Sequence, residues 1–436
     1  MERTIYRQLL SWKNKQDRKP LILLGARQVG KTYILKKFGQ NEFRNLVYVN
    51  CHRDAFATNL FRDFNIRRII VEIERYCDVS ITIGETLLFF DEIQEVANGI
   101  SALKYFCEDC RSLHVVVAGS LLGIQLKENE SFPVGKVNML KMYPMTFNEY
   151  LLACGKHRWV EVLNALDWEA VKPLHEPLVE YLRQYYFVGG MPEAVAKYVN
   201  TRDVKAVRSI QHEILETYYL DMSKHTKTQI QRIHQVWESI PTQLSLENKK
   251  FFYGSIKKGA RAKDFEAAMQ WLVDAGLVVR VEKCKIPTPP LKFYADNASF
   301  KLYLLDCGLL ACLTEANPNM LLLADYAFVE FKGAFAENFV LQHICSALDT
   351  KSFYFSKDNS TMEIDFLIQT EERIVPVEVK AAENVKSKSL SLFVNHDFQA
   401  QQLKAVRFSL KPYEDQQWME NVPLYATESF LESLQK

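Results

Sequence analysis

The residues with the clearest chemical potential form the octapeptide GARQVGKT near the start of the chain. The octapeptide follows the apolar run LILL and precedes a segment with helical spacing. Its glycines allow the backbone to turn tightly, so that successive N–H groups and a helix N-terminus face an anion. The spacing GxxxxGKT therefore predicts a phosphate-binding P-loop, made of Gly25, Ala26, Arg27, Gln28, Val29, Gly30, Lys31 and Thr32.

The last two residues of this loop have side chains suited to ATP and magnesium. We expect Lys31 to reach the β- and γ-phosphates and Thr32 to ligate Mg²⁺. Asp91 and Glu92 supply a matching acidic element, because they follow the apolar run LLFF in a Walker B arrangement. Asp91 is expected to hold Mg²⁺, usually through water, and Glu92 to act as general base for the attacking water.

Two further features of the ATP site allow alternatives. Ser120 ends the next strand-like run, VVVAGS, where additional-strand P-loop ATPases usually keep a polar γ-phosphate sensor. A serine after glycine is equally typical of a plain turn. Arg53, Arg111 and Arg183 are all candidates for an arginine finger, because the sequence gives no distances.

A second candidate site lies in the C-terminal part of the chain. Asp365 ends one strand-like run, and Glu378 and Lys380 lie on the next, where strand alternation places both on one face. Two carboxylates and an ammonium group can converge on a metal-bound water and a scissile phosphate, with Glu337 of the preceding helix as a fourth member. This order follows restriction-endonuclease-like folds. The site is either a working nuclease or a solvated salt-bridge cluster without activity.

Length and composition narrow the remaining classes of protein. A chain of 436 residues is expected to hold roughly two to four domains. Its 48% apolar and 25% charged content is typical of a soluble globular protein, and a net charge of +1 argues against general attraction to nucleic acid or membranes. We find neither a signal peptide nor an apolar stretch of membrane-spanning length, which predicts a cytoplasmic protein without a membrane partner.

The pattern of apolar segments predicts an α/β fold with four modules. Alternating apolar and amphipathic segments indicate a parallel sheet wrapped by helices, and long helical patterns follow. Next, Asp264 is expected to cap a helix, and residues 277–283 and 291–296 to form a hairpin. The predicted domains are a P-loop ATPase domain (1–146), a helical connector (147–238), a winged-helix module (239–320) and an α/β restriction-endonuclease-like domain (321–436).

With these motifs in order, nearly the whole chain resembles bacterial AAA-type ATPases that join an N-terminal P-loop domain to a C-terminal domain of unknown function, family 4143. The matching segments are GARQVGKT (25–32), FFDEIQ (89–94), AGS (118–120), YPMTFNEYL (143–151), VGGMPEAV (188–195), EIDFLI (363–368) and PVEVKA (376–381). The resemblance implies ATP binding and hydrolysis, a winged-helix segment and a restriction-endonuclease-like tail. The chain departs from the family at Leu121, where relatives tend to have serine, and at Lys136, where arginine would add bidentate geometry.

Local charge identifies one candidate contact with nucleic acid. Residues 249–263 include six basic residues, no acidic one and three aromatics. Lys257, Lys258 and Arg261 can contact phosphates, whereas Phe251 and Phe252 are expected to pack in a core. Two hypotheses follow: an ATP-driven enzyme that acts on DNA through the winged helix and nuclease-like tail, or a regulatory ATPase switch whose tail is a non-catalytic binding module. Both expect ATP, ADP and Mg²⁺ as ligands, and both are compatible with a protein partner or an oligomer.

Overall fold

The computed structural model describes residues 1–120, 132–223, 227–246, 249–322, 329–348, 350–357, 360–381 and 387–435. The chain divides into two compact units. The first unit consists of residues 2–143 and 274–276, and the second of residue 1, 144–273 and 277–436. No helix in the described ranges has the length and apolar character needed to cross a membrane.

The first unit is built on a five-stranded parallel sheet in the order β2-β3-β4-β1-β5. Its strands are β1 (Leu21–Gly25), β2 (Asn45–Asn50), β3 (Thr86–Asp91), β4 (His114–Ser120) and β5 (Asn138–Lys141). Its helices are α1 (Ile5–Asn14), α2 (Lys31–Glu42), α3 (Ile66–Cys77) and α4 (Gly99–Asp109). Every residue of β1 and β3 is buried, so both faces of the central sheet are covered.

The helices of this unit cover the sheet with apolar faces. For example, α3 buries Ile66, Ile69 and Ile73, which recur at helical spacing. Its N-terminus is capped by Asn65, whose side chain accepts a hydrogen bond from the backbone N–H of Arg68. The three isoleucines belong to one buried core with residues of the sheet. The predicted α/β class with a parallel sheet is confirmed.

After the first sheet the chain forms a series of helices and then a second sheet. The helices are α5 (Phe147–Ala153), α6 (His157–Asn164), α7 (Trp168–Val171), α8 (His175–Val188), α9 (Pro192–Thr201), α10 (Val204–Met222), α11 (Lys227–Ser245), α12 (Tyr253–Ile256) and α13 (Ala262–Asp274). The remaining elements are β6 (Val278–Cys284), β7 (Ala295–Leu304), α14 (Cys307–Leu313), α15 (Pro318–Leu322), α16 (Val329–Leu348), β8 (Phe353–Ser356), β9 (Glu363–Gln369), β10 (Ile374–Lys380), α17 (Lys388–Leu392), β11 (Ala405–Ser409), β12 (Glu414–Asp415), β13 (Met419–Pro423) and α18 (Thr427–Ser433).

The second unit contains an eight-stranded mixed sheet in the order β12-β13-β11-β10-β9-β8-β6-β7. β9 and β10 pair antiparallel, with Val377 opposite Phe366, and β10 runs parallel to β11, with Glu378 opposite Arg407. This register places Asp365, the residue before Phe366, beside the segment that contains Glu378. The sheet therefore brings two of the predicted carboxylates to one region.

The predicted winged-helix module is not confirmed. β6 and β7 do form a hairpin, but its second strand begins at Ala295, because residues 291–294 form a short 3-10 helix. α13 begins at Ala262, so Asp264 lies in its first turn and does not cap it. β6 also pairs in parallel with β8, which makes the hairpin an edge of the larger sheet. The division of the chain at residues 146, 238 and 320 stays a prediction.

Residues of the motifs YPMTFNEYL and VGGMPEAV meet in a buried junction within the second unit. The backbone N–H of Met145 donates to the carbonyl of Gly190 at 2.6 Å, and the Tyr185 hydroxyl donates to the carbonyl of Met145. The Asp306 carboxylate caps α14 through the N–H of Leu309 at 2.9 Å and also accepts from the N–H of Gly190 at 2.6 Å. These motif residues therefore hold α5, α8 and α14 together.

Replacement of Gly190 tests this structural role. A Cβ atom at this position would lie 2.1 Å from the carbonyl oxygen of Met145, so Gly190→Ala must displace the backbone of the junction. We expect a loss of about 1–3 kcal/mol in the free energy of unfolding, measured by chemical denaturation. Gly254→Ala is the matched control, because a Cβ there meets no atom within 4 Å. Equal stability of the two variants would contradict the assignment.

Candidate functional site

The loop between β1 and α2 has the conformation expected of a phosphate-binding loop. Gly30 has a φ of 95°, in the left-handed region that favours glycine, and Gln28 also has a positive φ of 66°. A Cβ atom on Gly25 would lie 2.3 Å from the carbonyl oxygen of Met142, so only glycine fits there. α2 begins at Lys31, which places the positive end of its dipole at the loop.

Lys31 is buried against this loop. Its Nζ donates to the carbonyl oxygens of Gly25 at 2.9 Å and Ala26 at 2.8 Å. Burial lowers the pKa of Lys31 to about 8, an effect that the negative charge of Glu92 partly offsets. None of the described carboxylates forms an ion pair with Lys31, so a phosphate in the loop would meet a positive charge that water screens weakly.

Thr32 and Asp91 lie in hydrogen-bonding contact. Thr32 Oγ1 is 3.1 Å from one carboxylate oxygen of Asp91 and 3.3 Å from the other. The same carboxylate accepts a hydrogen bond from the Tyr48 hydroxyl at 2.9 Å, and Asn50 donates to that hydroxyl at 3.1 Å. Hydroxyl and carboxylate oxygens are ligands that Mg²⁺ prefers. The arrangement can therefore hold Mg²⁺ beside the phosphate-binding loop.

Glu92 follows β3 in a left-handed conformation, with a φ of 52°. Its backbone N–H donates to the carbonyl of Ala118 on β4 at 3.1 Å. One of its carboxylate oxygens accepts a hydrogen bond from the side-chain amide of Gln94, which is buried. The backbone and the side chain of Glu92 are thus both anchored at the end of the sheet.

The remaining predicted residues of this site are described in part. Gly25 and Ser120 pair at the ends of β1 and β4, so the backbone of Ser120 borders the loop. The side chain of Ser120 and the whole of Leu121 lie outside the described residues. Lys136, the other departure from the family pattern, pairs with Glu108 of α4 at 2.8 Å.

In the second unit, Glu337 and Asp365 are engaged by groups of the protein itself. Glu337 on α16 is only 3% exposed. One of its oxygens pairs with Lys249 Nζ, and the other accepts a hydrogen bond from the Tyr303 hydroxyl at 2.8 Å. Asp365 on β9 accepts a hydrogen bond from the backbone N–H of Val379 at 2.8 Å. Both carboxylates are therefore hydrogen-bonded within the fold.

Two ammonium groups, one fully buried and one largely buried, set the charge balance of this cluster. Lys301 is completely buried and pairs with Glu363, while Lys249 pairs with Glu337. Although burial raises the pKa of Glu337, the charges of Lys249 and Lys301 outweigh burial and hold that pKa below its ordinary value. Burial and then the charge of Glu337 raise the pKa of Asp365. Within this cluster the pKa of Asp365 is raised and that of Glu337 is lowered.

Glu378 and Lys380 lie on one face of β10, as strand alternation predicts. Glu378 is 4% exposed and lies 3.4 Å from Lys380 Nζ. It also accepts a hydrogen bond from the Ser387 hydroxyl. Within the described part of the chain, no three His, Cys, Asp or Glu side chains are grouped to hold a metal ion. The predicted residues are present, but their carboxylates contact ammonium, hydroxyl and amide groups.

Comparison with known families identifies segments of both units. Residues 17–151 match an AAA domain, and residues 332–427 match the domain of unknown function DUF4143. The chain joins an AAA domain to a DUF4143 domain. Residues 179–320, between them, match a second domain of unknown function, DUF8612. Comparison with curated proteins finds no matching sequence.

Three solved structures are similar to the chain at low sequence identity. The Walker-type ATPase PABY2304 of Pyrococcus abyssi matches with 14% identity and a TM-score of 0.44, over 72% of this chain and 95% of that chain. Cdc6p from Pyrobaculum aerophilum matches with 12% identity and a TM-score of 0.25, over 74% and 93%. Drosophila ORC bound to DNA matches with 10% identity and a TM-score of 0.25, over 72% and 85%.

Three residues around the acidic pair of the AAA domain were not predicted from the sequence. Tyr48 and Asn50 lie on one face of β2, and alternation along LVYVN is a signal that could have found them. Gln94 contacts Glu92 from a short 3-10 helix that has no such periodicity. Burial raises the pKa of Tyr48 to about 12, so its hydroxyl remains a hydrogen-bond donor to Asp91 at neutral pH.

Removal of the Tyr48 hydroxyl tests whether it orients the carboxylate of Asp91. In Tyr48→Phe the carboxylate loses one of its two side-chain donors. Since partners of metal ligands typically contribute about 10–100-fold to metal affinity, we expect the Mg²⁺ concentration for half-maximal nucleotide binding to rise about tenfold. Titration of a fluorescent ATP analogue with Mg²⁺ measures this change. Tyr76→Phe is the control, because Tyr76 is 55% exposed, and equal titrations of both variants would contradict the role.

Proposed function

We propose that the AAA domain hydrolyses ATP with Mg²⁺ as cofactor. Lys31 binds the β- and γ-phosphates, Thr32 and Asp91 hold Mg²⁺, and Glu92 takes the proton of the attacking water. Water adds to the γ-phosphorus, the bond to the β-phosphate oxygen breaks, and ADP and phosphate leave. When bound, Mg²⁺ neutralises charge on the phosphate oxygens.

The contact between Thr32 and Asp91 carries this proposal. It joins the end of the phosphate-binding loop to the end of β3, 3.1 Å apart, next to a buried ammonium group. Glycines 25 and 30 supply the close backbone approach that phosphates need. The residues present thus fit both ATP and Mg²⁺, because anion donors and hard oxygen ligands occur side by side.

Two substitutions separate nucleotide binding from hydrolysis. Lys31→Ala removes the buried ammonium, so we expect ATP affinity to fall about 10-fold or more. Glu92→Gln keeps the shape of the side chain but removes the base, so ATP binds and turnover falls about 10²–10⁴-fold. Calorimetry and phosphate release measure the two effects. Lys37→Ala and the exposed Glu95→Gln are matched controls. Wild-type turnover by Glu92→Gln would refute the general-base role.

For the DUF4143 domain we propose a binding function without metal-dependent cleavage. The support is the ion pair of Glu337 with Lys249, together with the buried Lys301 and the hydrogen bond of Tyr303 to Glu337. Hydrolysis by a metal ion needs ionised carboxylates that are free to ligate it. In this domain Lys249 already pairs with Glu337, and burial raises the pKa of Asp365. The regulatory switch is therefore the better-supported of the two hypotheses.

DNA is the partner that we propose for the second unit. Lys257, Lys258 and Arg261 are exposed between α12 and α13, with Lys263 at the start of α13. Exposed cations on adjacent positions can contact successive phosphates. Phe251 is buried, as expected, whereas Phe252 is 42% exposed and is not part of a core. Lys249 is directed to Glu337 and is not available for DNA.

Incubation with DNA and Mg²⁺ tests both parts of this proposal. We expect no Mg²⁺-dependent cleavage by the wild type or by Asp365→Ala. Binding should weaken with salt, and Lys257→Ala/Lys258→Ala should lower the slope of log affinity against log salt by about 2. Gel analysis and fluorescence anisotropy at several salt concentrations report the two results. Cleavage that disappears in Asp365→Ala would instead establish a nuclease. A slope unchanged by the double substitution would exclude Lys257 and Lys258 as contacts of DNA.

A further inference from the structure

A cavity of about 590 Å³ lies in the DUF4143 domain beside α17 and β11. Its lining includes Arg407, Lys388 and Lys411, together with Ser387, Gln416 and Trp418. None of the described residues that line the cavity is acidic. A volume in this range is sufficient for one nucleotide. The cavity is therefore a candidate site for a small anionic group, separate from the P-loop.

Arg407 is the residue that gives this cavity its chemistry. The side chain is 4% exposed although it carries a full charge. Its Nε donates to Asn421 at 2.8 Å and its Nη1 to the Ser387 hydroxyl at 3.0 Å, which fixes the plane of the guanidinium group. Asn421 is itself held by the Ser409 hydroxyl at 2.7 Å. Arg407 lines the cavity, and its Nη2 has no acceptor among the described residues.

The negative charge nearest to Arg407 is already shared with other groups. Glu378 lies opposite Arg407 on the neighbouring strand, but it pairs with Lys380 at 3.4 Å and accepts from Ser387. Burial lowers the pKa of Arg407, and the charges of Glu378 and Glu414 offset this effect only in part. Lys388 and Lys411 have no ion pair with any described residue. Three cations thus line the cavity, and none of its described lining residues is a carboxylate.

Trp418 adds a flat apolar surface to this charged pocket. The indole is half-buried, packs partly against the core of the DUF4143 domain and also lines the cavity. The backbone N–H of Trp418 donates to the carbonyl of Gln416 at 2.8 Å, so a tight turn holds both residues. An aromatic side chain next to cations is the arrangement with which proteins bind the base and phosphate of single-stranded nucleic acid.

We propose that this pocket binds the phosphate and base of a single nucleotide. Arg407 Nη2, Lys388 and Lys411 contact the phosphate, and Trp418 stacks on the base. The nucleotide is either free in solution or the 5′-phosphorylated end of a single strand, since both present the same chemistry. The inference rests on the proposed binding role of the DUF4143 domain and does not require ATP hydrolysis.

The test uses the full chain without added nucleotide, and it is repeated in a Lys31→Ala background so that capture of the probe by the P-loop is recognised. The probe is a fluorescent hexanucleotide of DNA with a 5′-phosphate, compared with the same strand without it. We expect the phosphorylated strand to bind about tenfold more tightly. Lys411→Ala and Trp418→Ala should each weaken its binding about tenfold. Lys404→Ala is the matched control, because Lys404 pairs with Asp415 and Glu420 outside the cavity.

Thermal melts confirm that each variant is folded before affinities are compared. Competition with dTMP distinguishes the two sources: displacement at equal affinity identifies a free nucleotide, and weak displacement identifies a strand end. Equal binding of both strands, or binding unchanged by both cavity variants, would overturn the proposal. If only Lys257→Ala/Lys258→Ala lost binding, the contact would lie between α12 and α13, and the proposal would also be overturned. We expect Glu92→Gln to bind the probe as the wild type does. Failure of the proposed ATPase activity can therefore be distinguished from failure of the proposed nucleotide pocket.

Discussion

The proposed ATP site depends on the strand order β3-β4-β1, which separates the P-loop from Asp91 by one strand. Thr32 follows β1, Asp91 ends β3, and β4 lies between them. Asp91 pairs in register with Ala118, whereas Gly25 pairs with Ser120, two residues farther along β4. Thr32 Oγ1 and the Asp91 carboxylate nevertheless lie 3.1 Å apart, so the contact spans the width of β4.

A different constraint governs the second unit, where several charges are buried together. A buried carboxylate without a partner costs several kcal/mol, so Glu337 requires a cation in the folded state. Lys249 supplies it from the segment before α12, and Lys301 supplies a second charge from β7. These elements lie far apart in the sequence. Their convergence links α16 to β7 and to the segment before α12.

Much of the AAA domain could be predicted from the sequence, because its chemistry is local. The P-loop spacing and the acidic pair each occupy a few adjacent residues, and hydrophobic alternation places them at strand ends. The C-terminal site depends on pairings that spacing does not encode. Glu337, Asp365 and Glu378 were predicted as a group, but the contacts of Lys249 and Tyr303 with Glu337 were not. The hairpin of β6 and β7 was predicted with its second strand from residue 291, whereas β7 begins at Ala295 and β6 also pairs with β8 in a larger sheet.

Lys31 and Lys249 show why residue type alone does not decide which site can take an anion. The ammonium group of Lys31 is buried and that of Lys249 is largely buried, and loss of water disfavours the charge of both. Among the described residues, Lys31 Nζ contacts carbonyl oxygens and no carboxylate, and burial lowers its pKa. Lys249 contacts the carboxylate of Glu337, and its pKa is raised despite burial, so its charge is already neutralised. Lys31 can therefore still pair with an anionic ligand, whereas Lys249 already pairs with a carboxylate of the protein.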